Sequence, residues 1–140
     1  MTWDKEVKKI KEREKLSLAQ GGSESVKTQH KKGRKTLRER IDIILDKNSF
    51  DEVGKIAGSP EYNEAGELKN FTPSNFLLGF GKIQDRSVVI GGEDFTLKGG
   101  SPNPSGLRKS IYTEELALKY KIPLIRLHEG GGGSVTGSGG

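Results

Sequence analysis

The chain has 140 residues, with 24 Lys/Arg against 19 Asp/Glu, a formal net charge of +5, 31% hydrophobic residues and 20 glycines. That length admits one domain and leaves no room for two, and glycine at this frequency makes for a lean core. No run approaches the ~18 apolar residues of a membrane span, the absence of cysteine excludes disulfides, thiolate zinc sites and cysteine nucleophiles, and two isolated histidines exclude a multi-His metal centre.

Residues 4–19 read as a helix with Val7, Ile10 and Leu18 on a narrow apolar face. Gly21-Gly22 breaks it, and Ser23 is placed to cap a short second helix through Gln29. The basic connector Lys31–Lys35 follows. Residues 1–36 hold 11 Lys/Arg and 5 Asp/Glu, a net of +6, whereas residues 37–140 hold 13 and 14, a net of −1. The basic character therefore belongs to this arm alone. A solvated helical face is one reading of it, and a phosphate-bearing partner is the other. Sparse aromatics and the interleaved Asp4, Glu6, Glu12 and Glu14 argue against nucleic acid.

Thr36-x-x-Glu39 has capping-box spacing and opens a third helix, on which Leu37, Ile41, Ile44 and Leu45 form one stripe for burial. Ser49-x-x-Glu52 repeats the spacing and predicts a short helical turn. Residues 58–75 read as a turn-rich loop, with Gly58, Pro60, Asn63, Gly66, Asn70 and Pro73 scattered through polar sequence. Two strands follow, Phe76–Ile83 and Ser87–Ile90, joined by Gln84-Asp85-Arg86 as a hairpin. Glu93–Leu97 reads as extended, and Gly99–Pro104 as loop.

Residues 106–121 form a predicted helix with Leu107, Ile111 and Leu118 on one face and Leu116 and Tyr120 beside them. Ile122–Leu127 is a short apolar strand. Strand, helix and strand in that order predict a parallel pairing with a right-handed crossover. The class expected is α/β or α+β. The closing strand lacks the cover a parallel sheet needs, which predicts that the chain is a piece of something longer.

No nucleophile–base constellation can be assembled, and His30 and His128 read as ordinary surface or packing residues. Chemistry, if present, has to come from backbone dipoles or a bound group. The run Gly130–Gly133 offers such dipoles directly after a strand, where successive amides can converge on a phosphate or on a thioester oxygen becoming an enolate. On composition alone the same run also reads as a flexible linker.

Three blocks, TLRERIDIILDKNSFDEVG (residues 36–54), FGKIQDRSVVIGGEDFTLKGGS (80–101) and LALKYKIPLIRLHEGGGG (116–133), resemble in order and spacing one family. It is the N-terminal part of the carboxyltransferase subunit of biotin-dependent acyl-CoA carboxylases, of the propionyl-CoA or methylcrotonyl-CoA type. The resemblance covers residues 20–135. It implies a crotonase-like α/β fold of ββα units preceded by helices, with residues 1–57 a helical segment and 58–140 the beginning of a truncated N-domain.

It further implies that acyl-CoA is the substrate, and that biotin carried by a partner subunit or domain delivers the carboxyl group. In such subunits the active site forms where the N-domain of one protomer meets the C-domain of another, so a homo-oligomer is implied as well. After the last strand the family has an acidic residue, a small residue, two glycines and then commonly Ala-Arg. Glu129, Gly130, Gly131 and Gly132 match, while Gly133-Ser134 stands in place of Ala-Arg.

The amides of Gly131, Gly132 and Gly133 are the expected oxyanion hole. Asp94, Phe95, Thr96, Gly99, Gly100 and Ser101 match the segment that lines the acyl-CoA region, and a tight turn of positive φ accounts equally well for Gly99 and Gly100. Lys31, Lys32, Arg34 and Lys35 are candidates for the CoA phosphates or for plain solvent exposure. No metal is expected. A cytoplasmic location is expected from MTWDKEVKKI, which has no targeting pattern, with the mitochondrial matrix open because relatives there lose theirs. The competing reading is a non-catalytic interaction module whose basic arm docks a partner or anionic polymer.

Overall fold

The computed structural model describes residues 2–129. Three helices come first: α1 (Asp4–Leu18), α2 (Ser23–Lys31) and α3 (Leu37–Ile44). Strand β1 (Asp51–Glu52) is followed by a hairpin of β2 (Gly58–Tyr62) and β3 (Leu68–Pro73), then by β4 (Phe76–Ile83) and β5 (Arg86–Glu93). A 3-10 turn at Lys98–Gly100, helix α4 (Pro104–Tyr120) and strand β6 (Leu124–Leu127) complete the described chain.

The main sheet has the order β1-β4-β5-β6, and β2-β3 forms a separate two-stranded sheet. β4 and β5 pair antiparallel from Phe76↔Glu93 to Ile83↔Arg86. Gln84 and Asp85 between them both adopt positive φ, 49° and 64°, as a two-residue hairpin of this hand requires. β5 and β6 pair parallel, Val89↔Leu124 to Gly92↔Leu127, with α4 as the intervening helix. The hairpin and the parallel β-α-β unit expected from the sequence are both present.

Strand alternation sorts the core onto two faces. Leu77, Val88, Ile90 and Leu127 pack with Leu37, Ile41 and Leu45 on the α3 side. Phe76, Leu78 and Val89 pack with Leu116 on the α4 side. Gly81 lies on the α3 face, where any Cβ would collide with the Leu45 side chain. The missing side chain thus lets the end of α3 settle onto the sheet.

Thr36 caps α3 as its spacing predicts. Its hydroxyl accepts from the Glu39 amide at 3.3 Å while the Glu39 carboxylate accepts from the Thr36 amide at 2.7 Å. That backbone amide, and then His30 at 2.9 Å, hold the Glu39 carboxyl below its usual range. Leu37, Ile41 and Leu45 are buried, but Ile44 is exposed. The chain leaves the helix at Leu45 in extended conformation, which turns Ile44 outward.

Other expectations are corrected. Ser49–Glu52 does not turn into helix: Asp51 and Glu52 pair with Phe80 and Gly79 as β1. Residues 58–75 are no loop but largely the β2–β3 hairpin, paired from Gly58↔Pro73 to Tyr62↔Leu68. Ser23 is the first residue of α2, and Gly22 at φ 88° holds the cap position without a side-chain bond. Glu93 ends β5, and residues 94–97 curl into a turn instead of running on extended. Pro104 starts α4, with the Asn103 side-chain oxygen Oδ1 accepting from the Gly106 amide at 2.7 Å.

The largest correction concerns the face of α4. Leu107, Ile111 and Leu118 are exposed, while Gly106, Lys109, Thr113 and Leu116 are buried against the sheet. Close approach explains the inward Gly106, since a Cβ there would overlap the Asn75 side-chain oxygen. Arg126 caps the packing on this side: its guanidinium donates to the Ser110 hydroxyl at 2.8 Å and lies 5.1 Å from the centre of the Phe76 ring.

Lys109 enters a tight polar slot of about 10 Å³ beside Arg38, Glu52, Ser74 and Asp94. Arg38 donates to both Glu52 oxygens, at 2.8 and 3.0 Å. The Lys109 amine donates to the Gly54 carbonyl at 3.3 Å. Burial pulls the Lys109 amine down to about 8, against the partial support of Glu52.

Two outcomes follow for stability. Thr36→Ala removes the cap acceptor and is expected to cost about 1 kcal/mol, read as a lower urea midpoint at unchanged m. Because the Lys109 amine binds its proton less tightly when folded, the wild-type chain gains stability as pH rises from about 8 towards the unfolded-state value. Lys109→Met is expected to flatten that rise in urea melts across the window.

Candidate functional site

β5 and β6 run parallel and end side by side, at Glu93 and Leu127. The carboxyl edge of parallel strands is where α/β folds place ligands, because loops leaving the strands diverge there. Residues 94–101 leave β5 at this edge, and His128 and Glu129 leave β6. The N-terminal helical segment closes the edge from outside.

Asp94 organises the turn after β5. It is almost wholly buried, and its Oδ1 accepts both the Thr96 amide at 2.9 Å and the Thr96 hydroxyl at 2.6 Å. The Thr96 oxygen accepts in turn from the Gly21 amide at 2.9 Å. A Cβ at Gly21 would overlap the Thr96 carbonyl, so only glycine lets the α1–α2 junction reach this turn. Desolvation pushes the Asp94 carboxyl up, opposed by the Thr96 bonds and by Arg38 and assisted by Glu129.

Gly99 and Gly100 have φ of 60° and 73°, so the turn reading applies at both positions. The Asn75 side chain donates to the Ser101 carbonyl and ties the far end of the turn to the start of β4.

An open depression of about 570 Å³ lies against this turn, lined by Arg34, Lys35, Arg40, Phe95, His128 and Glu129. Arg34 lies 5.8 Å from the centre of the Phe95 ring. Glu129 Oε2 meets Arg40 at 3.4 Å, and Oε1 accepts from Gln29 at 3.4 Å with Arg34 at 3.9 Å. One carboxylate among three cations leaves the rim positive. His128 faces Glu93 at 3.4 Å.

The residues singled out from the sequence therefore divide by task. Phe95 lines the depression, Asp94 and Thr96 hold the turn behind it, and Gly99, Gly100 and Ser101 complete that turn. Of the basic connector, Arg34 and Lys35 reach the site, whereas Lys31 and Lys32 are exposed and do not line it. Gly131, Gly132 and Gly133 lie outside the described residues. Sequence reasoning missed Arg40 and Gln29. Arg40 sits between two buried-stripe positions on α3, and nothing in its spacing relates it to a carboxylate 89 residues away. Among the described residues no group of three or more His, Cys, Asp or Glu is placed to hold a metal.

Asp94→Asn keeps an oxygen that accepts both Thr96 donors. It is expected to preserve the fold and to remove the loss of stability that wild type shows as pH rises through the raised Asp94 pKa. Asp94→Ala strands the buried Thr96 donors and is expected to cost about 1–3 kcal/mol in urea melts at pH 7.

Comparison with known proteins matches residues 28–138 to the carboxyl transferase domain model. The chain is 33% identical over 135 residues to the methylmalonyl-CoA carboxyltransferase 12S subunit of Propionibacterium freudenreichii subsp. shermanii, covering 96% of this chain and 26% of that protein. It is 32% identical over 117 residues to the methylmalonyl-CoA decarboxylase subunit alpha of Veillonella parvula, covering 84% and 23%. A solved transcarboxylase 12S structure, with methylmalonyl-coenzyme A bound and described as a hexamer assembly, superposes with a TM-score of 0.79 at 31% identity, covering 96% of this chain and 26% of that one. The geranyl-CoA carboxylase beta subunit of P. aeruginosa gives 0.76 at 25% identity, covering 95% and 24%. The chain spans about a quarter of the length of these relatives. The crotonase-like α/β fold implied by the three sequence blocks holds, and the chain belongs to the carboxyl transferase domain family.

Proposed function

We propose that this chain forms the acyl-CoA side of an acyl-CoA carboxyltransferase. The observation that carries the reading is the basic, aromatic-edged depression of Arg34, Lys35, Arg40 and Phe95 at the carboxyl ends of β5 and β6, directly before Gly130–Gly133. Membership of the carboxyl transferase domain family supports it. In this reading residues 1–57, which hold the three helices and strand β1, form the preface, and residues 58–140 open the N-domain. Arginine and lysine at the rim hold the coenzyme phosphates, and the Phe95 ring gives the adenine or the pantetheine stem an apolar wall.

The thioester then points towards the glycine run. There the amides of Gly131, Gly132 and Gly133 stabilise the oxygen that gains charge when the α- or γ-proton leaves and an enolate forms. One such donor is typically worth about 3–4 kcal/mol in the transition state. Asp94 and Thr96 do not touch substrate in this scheme; they fix the wall on which Phe95 stands.

Biotin, held by a biotin carboxylase or carrier partner, supplies the carboxyl group when bound. The depression at Phe95 does not fit it: that depression is open and its rim is basic, whereas a bicyclic ring needs an enclosed, mostly apolar pocket. In this reading its site belongs to another domain or protomer of a homo-oligomer, and the chain alone is inactive. Among the described residues no helix is long and apolar enough to cross a membrane.

Calorimetry with propionyl-CoA tests this reading. Saturable binding is expected, weakened at least tenfold by the paired Arg34→Gln and Arg40→Gln changes. No heat at millimolar ligand would overturn the acyl-CoA assignment. Carboxylation by the chain alone, given carboxybiotin, would overturn the division of labour.

A further inference from the structure

The basic arm does not end at the acyl-CoA depression. α1 packs against the β2–β3 hairpin, and between them lies a second, separately lined groove of about 570 Å³, with walls from Lys5, Lys8, Lys9, Glu12 and Arg13 on α1 and from Tyr62 and Glu67 on the hairpin side. It shares no residue with the depression at Phe95. Lys5, Lys9 and Arg13 stand at i, i+4 and i+8, so they repeat along one helix face about every 6 Å and span about 12 Å.

Among the described residues this row is left without a paired counter-charge: no ion pair involves Lys5, Lys8, Lys9 or Arg13. Glu67 is engaged instead by Asn63, whose side-chain amide donates to it at 2.9 Å and whose oxygen accepts the Glu67 backbone amide at 2.8 Å. Arg13 is held in place: its guanidinium donates to the Tyr62 hydroxyl and lies 5.8 Å from the centre of the ring. Its Nε is buried without a hydrogen-bond partner. Four cations face two carboxylates, one of them already engaged, and a fixed guanidinium stands at one end. That combination favours a compact ligand with several negative charges over water.

We propose that the α1–hairpin groove is a second anion site, which takes a small oligophosphate such as a nucleoside triphosphate or inorganic tripolyphosphate. The cavity is of the size that holds ligands of that class, and a row of point charges 12 Å long matches a chain of phosphates better than a single carboxylate. The site is independent of the acyl-CoA reading, because its lining and its test involve different residues. Tyr62 positions Arg13 and is not itself a ligand.

The test is calorimetric titration of the chain with tripolyphosphate and with ATP at 150 mM salt. Lys5→Gln with Lys9→Gln is expected to weaken tripolyphosphate at least tenfold. Arg34→Gln with Arg40→Gln is expected to leave it within twofold. Tyr62→Phe keeps the ring but releases Arg13, and is expected to weaken binding about threefold without changing the thermal midpoint. Equal affinity for ATP and tripolyphosphate assigns recognition to the phosphates alone, whereas tighter ATP binding adds a contact to the nucleoside.

Three results would each overturn the proposal: no saturation at millimolar tripolyphosphate, loss of binding in the Arg34/Arg40 variant with none in the Lys5/Lys9 variant, or a single-stranded oligonucleotide binding far more tightly than either probe with a steep salt slope. The last would make the groove a nucleic-acid track.

Discussion

The buried Asp94 carboxylate is the point on which the rest of the molecule turns. An acid is costly to bury unless its oxygens are occupied, and here Thr96 occupies one oxygen twice, through amide and hydroxyl. The same threonine oxygen receives the Gly21 amide. A single chain of hydrogen bonds thus joins the α1–α2 junction to the turn that leaves β5. It fixes the α1–α2 junction against the turn that carries Phe95.

Glu129 makes the complementary tie after β6. Gln29, Arg34 and Arg40 come from the helical segment and converge on one carboxylate that stands where the strand ends. The two ties lie on adjacent parallel strands, so the helical segment is held at two points against the same edge. The edge itself is rigid because β4, β5 and β6 are packed on both faces, by α3 on one and α4 on the other. In this architecture the preface is part of the site and not an appendage to it.

The parts of this arrangement legible in the sequence are those where one local signal dominates. The Thr36 capping box, the apolar run at 76–83 and the strand–helix–strand order each rest on residues close together in the chain. The β2–β3 hairpin escaped because β2 reads Gly-Ser-Pro-Glu-Tyr and is almost entirely exposed, so it lacks the alternation that marks a half-buried strand. β1 is two residues long and exists only because β4 offers it an edge. Arg40 and Gln29 owe their place to tertiary contacts with Glu129 across about 90–100 residues, which no window of sequence contains. The motif residues at 94–101 were found through family resemblance, and the geometry then separated the ring that faces the depression from the carboxylate that supports it.

α4 shows most plainly how a hydrophobicity pattern can mislead. Its buried positions Gly106, Lys109, Thr113 and Leu116 keep helical spacing, but only one is a large aliphatic, while the leucines and isoleucine that make the visible stripe face outward. Reading for grease selects the wrong side. In this chain Leu107, Ile111 and Leu118 give an oily flank, the kind of surface to which hydrophobic dyes and column resins adhere. Dye fluorescence from this chain is thus open to an origin in the folded state, at this flank of α4.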